Sequence, residues 1–340
     1  MDRNDALLAD WRQRALALEA EVGLAVIGQA RILRLVNTAV FARGHVLLQG
    51  DVGVGKTTLL RAFAQVLGGA FARTEGTVDL MPNDLVYYTY ISEQGRPAVE
   101  PGPLIRHGED LAIFFFNEIN RARPQVHALL LRVMAERSVS AFNREFHFPH
   151  LLVFADRNRV EREETFEISS AARDRFMMEI TIEPPADDAM RRALMFDPRF
   201  HDTDRLVGAL QSAMVPHREL NGVAELIQRS VQASQALQDY ALRLWRATAE
   251  PASFGVTLSD LDTAQLMLAG ASPRGMSLLL RAARVAAWLE GRSYVTPEDV
   301  QAVFVETIAH RLCYQPVFEL HRHEISPRLM AAILAAVAAP

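Results

Sequence analysis

The eight residues Gly50-Asp51-Val52-Gly53-Val54-Gly55-Lys56-Thr57 constrain this chain more than any other segment. They fit the phosphate-binding pattern GxxxxGK[ST], which works between a strand and the helix that follows it. Both flanks comply: His45–Gln49 reads as a strand and Thr58–Leu67 as a helix. The glycines let successive backbone N–H groups curl around phosphate oxygens. The helix N-terminus behind them favours anions. In that setting Lys56 reaches the β- and γ-phosphates and the Thr57 hydroxyl binds Mg²⁺. The expected nucleotide-binding set is Gly50, Asp51, Val52, Gly53, Val54, Gly55, Lys56, Thr57 and Thr58.

Around this loop the chain alternates. Apolar runs recur at His45–Gln49, Ala70–Ala72, Leu111–Phe116, His150–Ala155 and Met177–Ile182, with helical patterns between several of them. That alternation predicts an α/β fold, a parallel sheet covered by helices. Ala112-Ile113-Phe114-Phe115-Phe116 has no polar alternation, as a strand buried on both faces requires. Ahead of the sheet, residues 5–43 read as helical, with Leu7, Leu8, Trp11, Ala15 and Leu18 at helix spacing. Two short segments read as hairpins: Tyr87–Ile91 with Ala98–Val99 about a turn at Gln94-Gly95-Arg96, and Ser138–Phe142 with Phe146–Phe148 about Asn143-Arg144-Glu145. Pro184-Pro185 ends the alternation, and the sequence is helical from there to about residue 312. A chain of 340 residues suits about two domains at roughly 150 residues each. The expected division is 1–185 for the α/β domain with its leading helices, 186–312 for a helical lid, and 313–340 for a helical tail.

A phosphate loop of this kind works with an acidic element at the end of a neighbouring strand. The candidate is Phe114-Phe115-Phe116-Asn117-Glu118. An Asp-Glu pair is usual there, the Asp helping to hold Mg²⁺ and the Glu activating water. This chain has Asn117 in the Asp place, which keeps a hydrogen-bond acceptor but gives up the charge; Mg²⁺ would then be held by Thr57 and, through water, by Asn117. Glu118 keeps a general base available. The other reading is a buried strand ending in a polar loop. The next strand runs into Asp156-Arg157-Asn158, where Asn158 could orient a water against the γ-phosphate. Arg175, in Asp174-Arg175-Phe176, could act in trans on a neighbour's phosphate, or form a surface ion pair. Ser272-Pro273 are helix-start residues. They leave Arg274 in a first turn, where the dipole disfavours a cation unless a phosphate is near. A solvated arginine is the alternative. Thr296-Pro297-Glu298-Asp299 starts another helix by ordinary rules.

Lys plus Arg is 36 and Asp plus Glu is 41, so net charge is 36 − 41 = −5. That disfavours sequence-independent nucleic-acid binding, which needs clustered cation. A single cysteine, Cys313, excludes an intramolecular disulfide and a Cys-rich zinc site. Met1-Asp2-Arg3-Asn4-Asp5 carries no signal-peptide pattern and no segment approaches 18 apolar residues, so the expected compartment is the cytoplasm.

Taken in order, these blocks resemble the MoxR group of AAA+ ATPases. The resemblance runs from Ile27-Gly28-Gln29 through the phosphate loop, Asp79-Leu80-Met81-Pro82-Asn83-Asp84, Pro101-Gly102-Pro103 and Glu118-Ile119-Asn120-Arg121-Ala122. It continues through Met134-Ala135-Glu136-Arg137, Asp174-Arg175-Phe176, Gly270-Ala271-Ser272-Pro273-Arg274 and Gly291–Val300 to His310-Arg311. It implies a five-stranded αβα nucleotide domain with a helical lid, assembled as a hexameric ring that binds and hydrolyses ATP. It also implies that Asn158 is similar to sensor 1, Arg175 to the arginine finger and Arg274 to sensor 2, and that Gly28 and Gln29 lie near the adenine. The two hairpins are similar to partner-facing inserts. Such proteins act as chaperone-like remodellers or maturation factors, together with a partner carrying a von Willebrand factor A domain. Three departures stand out: Asn117, Asp156-Arg157-Asn158-Arg159 in place of Thr-Gln-Asn-Pro, and Ser170 where Glu is common. The first supports an alternative, a nucleotide-binding scaffold with little or no hydrolysis. A nucleic-acid motor on a related fold is disfavoured by the charge.

Overall fold

The computed structural model describes residues 3–158 and 166–340 of the chain. It opens with α1 (Arg3–Ala25) and α2 (Ala30–Phe41). The helical expectation for 5–43 holds, interrupted at Gly28, whose φ is +73°. In α1 the buried stripe is Leu8, Trp11, Ala15, Leu18 and Val22, an i, i+3, i+4 pattern. Leu7 is not part of it: a neighbour of Leu8 lies about 100° around the helix, and Leu7 is 45% exposed.

The sheet follows. In chain order come β1 (Val46–Gly50), α3 (Lys56–Leu67), β2 (Ala70–Glu75), β3 (Tyr87–Ile91), β4 (Pro97–Pro101) and β5 (Leu111–Asn117). Then come α4 (Pro124–Glu136), β6 (Ser138–Ala141), β7 (Arg144–His147), β8 (Leu152–Asn158), α5 (Ser170–Arg173) and β9 (Met178–Thr181). Five of the strands form one sheet in the order β2-β5-β8-β1-β9. β5 is buried at all seven positions, as its unbroken apolar run requires. Parallel pairing aligns Phe116 with Ala155 and Gly50 with Asn158. β8 therefore runs through Asp156 to Asn158, three residues beyond the apolar run that predicts it, because the ladder to β1 continues to be satisfied there. The C-terminal ends of β5, β8 and β1 come level, at the edge where α/β sheets bind ligands.

Both hairpins form. β3 and β4 pair antiparallel, as do β6 and β7. The β6–β7 turn is Phe142-Asn143, both at positive φ (52° and 57°), a two-residue loop whose twist matches the strands. Arg144 and Glu145 belong to β7 and not to the turn.

The remaining elements are α6 (Asp188–Phe196), α7 (Thr203–Gly208), α8 (Leu220–Ser230), α9 (Gln235–Ala249), β10 (Met267–Ala269), α10 (Pro273–Leu289), α11 (Pro297–Ile308), β11 (Cys313–Tyr314), α12 (Pro316–Glu319) and α13 (Arg322–Ala336). Both predicted helix starts are capped: the Ser272 hydroxyl accepts from the Gly275 N–H at 3.1 Å, and Thr296 and Asp299 form a capping box.

By packing, the chain forms two compact units, one of residues 13–175 and 180–221, the other of residues up to 12, 176–179 and 222–340. The long C-terminal segment of the second unit begins at Gly222. The physical reason is local. Residues 186–221 bury Val207 and Leu210, and the N–H groups of Ala213 and Met214 bond the Gln65 and Val66 carbonyls at the end of α3. The change of secondary structure after Pro184-Pro185 is thus not a change of packing unit. Nor is 313–340 a separate tail: α13 buries Ile325, Leu329, Met330 and Ile333 within the helical unit.

The sheet core rests on its aromatic run. Phe115→Ala, at a fully buried site, should cost about 3–5 kcal/mol, read as a lower urea midpoint for the α/β unit.

Candidate functional site

The phosphate loop leaves β1 at Gly50, where a Cβ would stand 2.5 Å from the Ile182 carbonyl oxygen. Only glycine lets β1 turn that close to the chain beyond β9. Gly53 and Gly55 have φ of +82° and +89°, and a Cβ on either meets nothing within 4 Å. The space over them is an open cradle. Gly55 is the N-cap of α3 and no side chain caps that terminus. Uncapped N–H groups at a helix start, beside an open loop of glycines, fit an anionic phosphate chain.

Lys56 is the hub. Its side chain is 7% exposed. Nζ donates to the Gly50 carbonyl (2.9 Å), the Asp51 carbonyl (3.0 Å) and Asn158 Oδ1 (2.7 Å). All three ammonium protons are thus used. Asn158 passes the contact on, its Nδ2 donating to Glu118 Oε1 at 3.2 Å. Glu118 Oε2 pairs with Arg121 Nε at 3.0 Å. The Glu118 backbone adopts φ +53°, a left-handed conformation that a bulky residue takes at some cost and that lifts its side chain off the strand end.

Asp156 lies beneath these groups, 2% exposed. Its Oδ1 accepts from the Glu118 N–H at 2.6 Å, and its Oδ2 is 4.0 Å from Lys56 Nζ. Burial pushes its carboxyl up to about 6, against the opposing pull of the Glu118 N–H and the Lys56 ammonium. Asn117, also buried, satisfies its amide when Nδ2 donates to Asp156 Oδ1 (3.2 Å) and Oδ1 accepts from Arg73 Nη2 (3.3 Å). Arg157 turns the other way and binds Gln49 Oε1 through Nε (3.0 Å) and Nη2 (2.6 Å).

The predicted residues divide. Lys56, Asn158, Glu118 and Asn117 come together. Gly28 and Gln29 line a separate cleft of the same unit with Ile32, Thr181, Glu183 and Pro185, closed by a Gln29 Nε2 bond to the Glu183 carbonyl at 2.6 Å. Arg175 is not in the cluster; its Nη1 donates to the Ala171 carbonyl at 2.9 Å. Arg274 is exposed in the first turn of α10, in the other unit. Arg159 lies outside the described residues. Sequence reasoning passed over Asp156, Arg121 and Arg73 as partners. Two of them had a signal: Asp156 is two residues before Asn158, hence on the same side of the strand, and Arg121 is three residues from Glu118.

No group of three or more His, Cys, Asp or Glu that could hold a metal occurs among the described residues. What the site offers is hard oxygen: the Thr57 hydroxyl, the Asn117 amide and two carboxylates. That suits Mg²⁺, which keeps waters and phosphate oxygens as ligands and does not need a protein cage.

Comparison with known proteins agrees. Residues 45–178 match the ATPase family associated with various cellular activities (AAA), and residues 260–334 match the AAA lid domain. The chain is 58% identical to Protein MoxR of Methylorubrum extorquens, covering 99% of this chain and 98% of that one. It is 54% identical to Protein MoxR of Paracoccus denitrificans, over 99% of each. Chaperone MoxR1 of Mycobacterium tuberculosis is 33% identical over 94% of this chain and 81% of its own. The crystal structure of an ATPase candidate from Cytophaga hutchinsonii superposes with a TM-score of 0.82 at 27% identity, covering 98% of this chain and 97% of the other.

The buried Asp156 predicts a pH dependence. Its carboxyl titrates near 6 in the fold against 3.8 in the open chain. Between those values the native state holds the proton and the unfolded chain does not, so stability falls as pH rises through about 4 to 6. The full cost, about 3 kcal/mol, applies above that window. Asp156→Asn should remove this slope and raise the melting temperature of the nucleotide-free protein at pH 8, measured by calorimetry from pH 4 to 8. A slope equal to that of the parent would count against a buried carboxylate here.

Proposed function

The chain belongs to the MoxR family of AAA+ ATPases, and on that premise we propose that it binds ATP with Mg²⁺ and hydrolyses it in a ring. The nucleotide cycle then remodels or matures a partner protein in the cytoplasm. The observation that supports this best is the hydrogen-bonded path from Lys56 through Asn158 to Glu118. It links a phosphate-loop cation, a water-positioning amide and a carboxylate base in one cluster.

The roles follow from the contacts. Lys56 now spends its protons on two loop carbonyls and Asn158; a bound phosphate offers stronger, charged acceptors and would draw it away. Gly53, Gly55 and the uncapped start of α3 would cradle the phosphates. Asn158, freed from Lys56, would orient a water, and Glu118 would take its proton. The Arg121 pairing keeps that carboxylate in place. Thr57 and Asn117 would hold Mg²⁺, which when bound supplies charge neutralisation across the phosphate oxygens. The Gln29 cleft would take the adenine, and Arg274 would approach the nucleotide from the lid.

Arg175 would act on a neighbour's nucleotide, which makes the ring, a hexamer by family resemblance, part of the chemistry. The β3–β4 hairpin exposes Tyr90 and Ile91 (50% and 68%), and the β6–β7 hairpin exposes Phe142. On this reading both face the client or a von Willebrand factor A partner. The chaperone name of the mycobacterial relative is in keeping with it. A second reading, a scaffold that binds nucleotide but turns it over little, is favoured only by the neutral Asn117.

Lys56→Ala should weaken ATP binding at least about 100-fold, roughly 3 kcal/mol for a buried cation's contacts. Calorimetric titration checks this; retained affinity overturns the site.

Glu118→Gln and Arg175→Ala proteins should each be nearly inactive alone. Mixing them should restore part of the phosphate release, because only a mixed interface pairs an intact Glu118 with an intact Arg175. A monomer fully active at micromolar concentration would exclude shared sites.

A further inference from the structure

The end of β5 lacks the carboxylate that a metal-nucleotide site of this kind uses, yet the site is not short of one. Phe116 and Ala155 are the last registered pair between β5 and β8, and Asn117 and Asp156 are the residues that follow them. With its amide turned so that both polar atoms find partners, Asn117 donates to Asp156 Oδ1 and accepts from Arg73. The missing charge thus stands one strand over, touching the residue that lacks it.

What Asp156 does for the fold does not need its charge. The Glu118 N–H requires an acceptor, and a neutral side-chain oxygen would serve. The Lys56 ammonium already has three acceptors. Still, the protein keeps a carboxylate at 2% exposure, where burial raises the cost of the charge more than the Lys56 ammonium beside it offsets. Its second oxygen, Oδ2, is 4.0 Å from Lys56 Nζ and takes no hydrogen bond among the described residues. Asn117 then reads differently: two carboxylates in this contact would repel, whereas an amide donates into the one that remains.

We infer that Asp156 replaces the strand-end aspartate as the carboxylate that holds the water shell of the nucleotide-bound divalent cation, with Asn117 as its positioning partner. The inference rests on the reading of this cluster as an ATP–Mg²⁺ site. Hard oxygen, negative charge and reach through water are what such an ion asks of the protein, and Asp156 supplies all three from the neighbouring strand. The charge has been exchanged between the residues that follow the last β5–β8 pair, Phe116 and Ala155.

The test uses the full chain, adenylyl imidodiphosphate and Mn²⁺, with metal affinity of the nucleotide complex read by electron paramagnetic resonance and nucleotide affinity in EDTA by calorimetry. Asp156→Asn should weaken Mn²⁺ tenfold or more, as loss of a charge-assisted contact does, while metal-free nucleotide still binds. Any smaller loss overturns the inference. Asn117→Asp alone should not tighten Mn²⁺ tenfold; if it does, the charge at 117 was missing and Asp156 had not supplied it. The exchanged double variant, Asn117→Asp with Asp156→Asn, should return Mn²⁺ affinity to within about threefold of the parent, and a larger deficit overturns the inference. This comparison also decides the matter should Asp156→Asn not fold. If the parent binds no nucleotide with or without metal, the ATP-site reading fails and this inference with it. If it binds and Asp156→Asn keeps its Mn²⁺, only the assignment of Asp156 fails.

Discussion

Everything at the nucleotide end depends on the parallel register of β5, β8 and β1. Gly50 stands opposite Asn158, and Phe116 opposite Ala155. A slip of one residue in β8 would send Asp156 and Asn158 to the opposite face of the sheet. The slip would separate Lys56 from Asn158 and the Glu118 N–H from Asp156 at once. What fixes the register is apolar: β5 is buried throughout, and β8 is buried from Leu152 to Ala155. The polar cluster has no say in where the strands pair and simply emerges where their apolar runs stop. Chemistry at a strand end is thus placed by packing several residues away.

The cluster stores its own opposition. Lys56 is satisfied by the Gly50 and Asp51 carbonyls and Asn158, and Glu118 sits in a left-handed conformation with its carboxylate shared between Asn158 and Arg121. Of these contacts, those of Lys56 are the ones that a phosphate's charged oxygens would outcompete, while the Arg121 pairing holds Glu118 in place. The network ties Glu118 to Lys56 by two routes, through the Asn158 amide and through the Asp156 carboxylate. Asn158 touches both, Oδ1 accepting from Lys56 and Nδ2 donating to Glu118.

Much of this was legible in the chain. The phosphate loop, the five strands, the two hairpins and the helix caps all have local signals, because turn chemistry, capping and burial on both faces leave residue-level marks. The positions that escaped are those decided by partners far away in sequence. Leu7 and Leu8 are both apolar, and only helix phase tells which is inside. The Pro184-Pro185 break looks like a domain boundary because it changes the secondary structure, yet Ala213 and Met214 bond back to the end of α3, and no periodicity reports such a bond. The tail's membership of the helical unit was hidden likewise, since α13 carries its apolar residues without saying against what they pack.

Asp156 is visible in the sequence as a charge beside Asn158, but its partners across the strands, Lys56 and the Glu118 N–H, are not. Seen along one strand, Asn117 is a loss and Asp156 an intrusion beside the sensor. Seen across two strands, they are one exchange: an amide where a carboxylate is usual, and a carboxylate on the residue it bonds. Strand pairing makes lateral neighbours as close as chain neighbours, so a charge can move between strands while the end of the sheet keeps its total. The cost of the new location is a carboxyl at 2% exposure whose affinity for its proton is raised by that burial. An amide would satisfy the Glu118 N–H and carry no desolvation penalty, but would give up the charge that faces the Lys56 ammonium. A buried charge that its neighbours Lys56 and Arg73 only partly offset marks a place where a ligand can supply the rest.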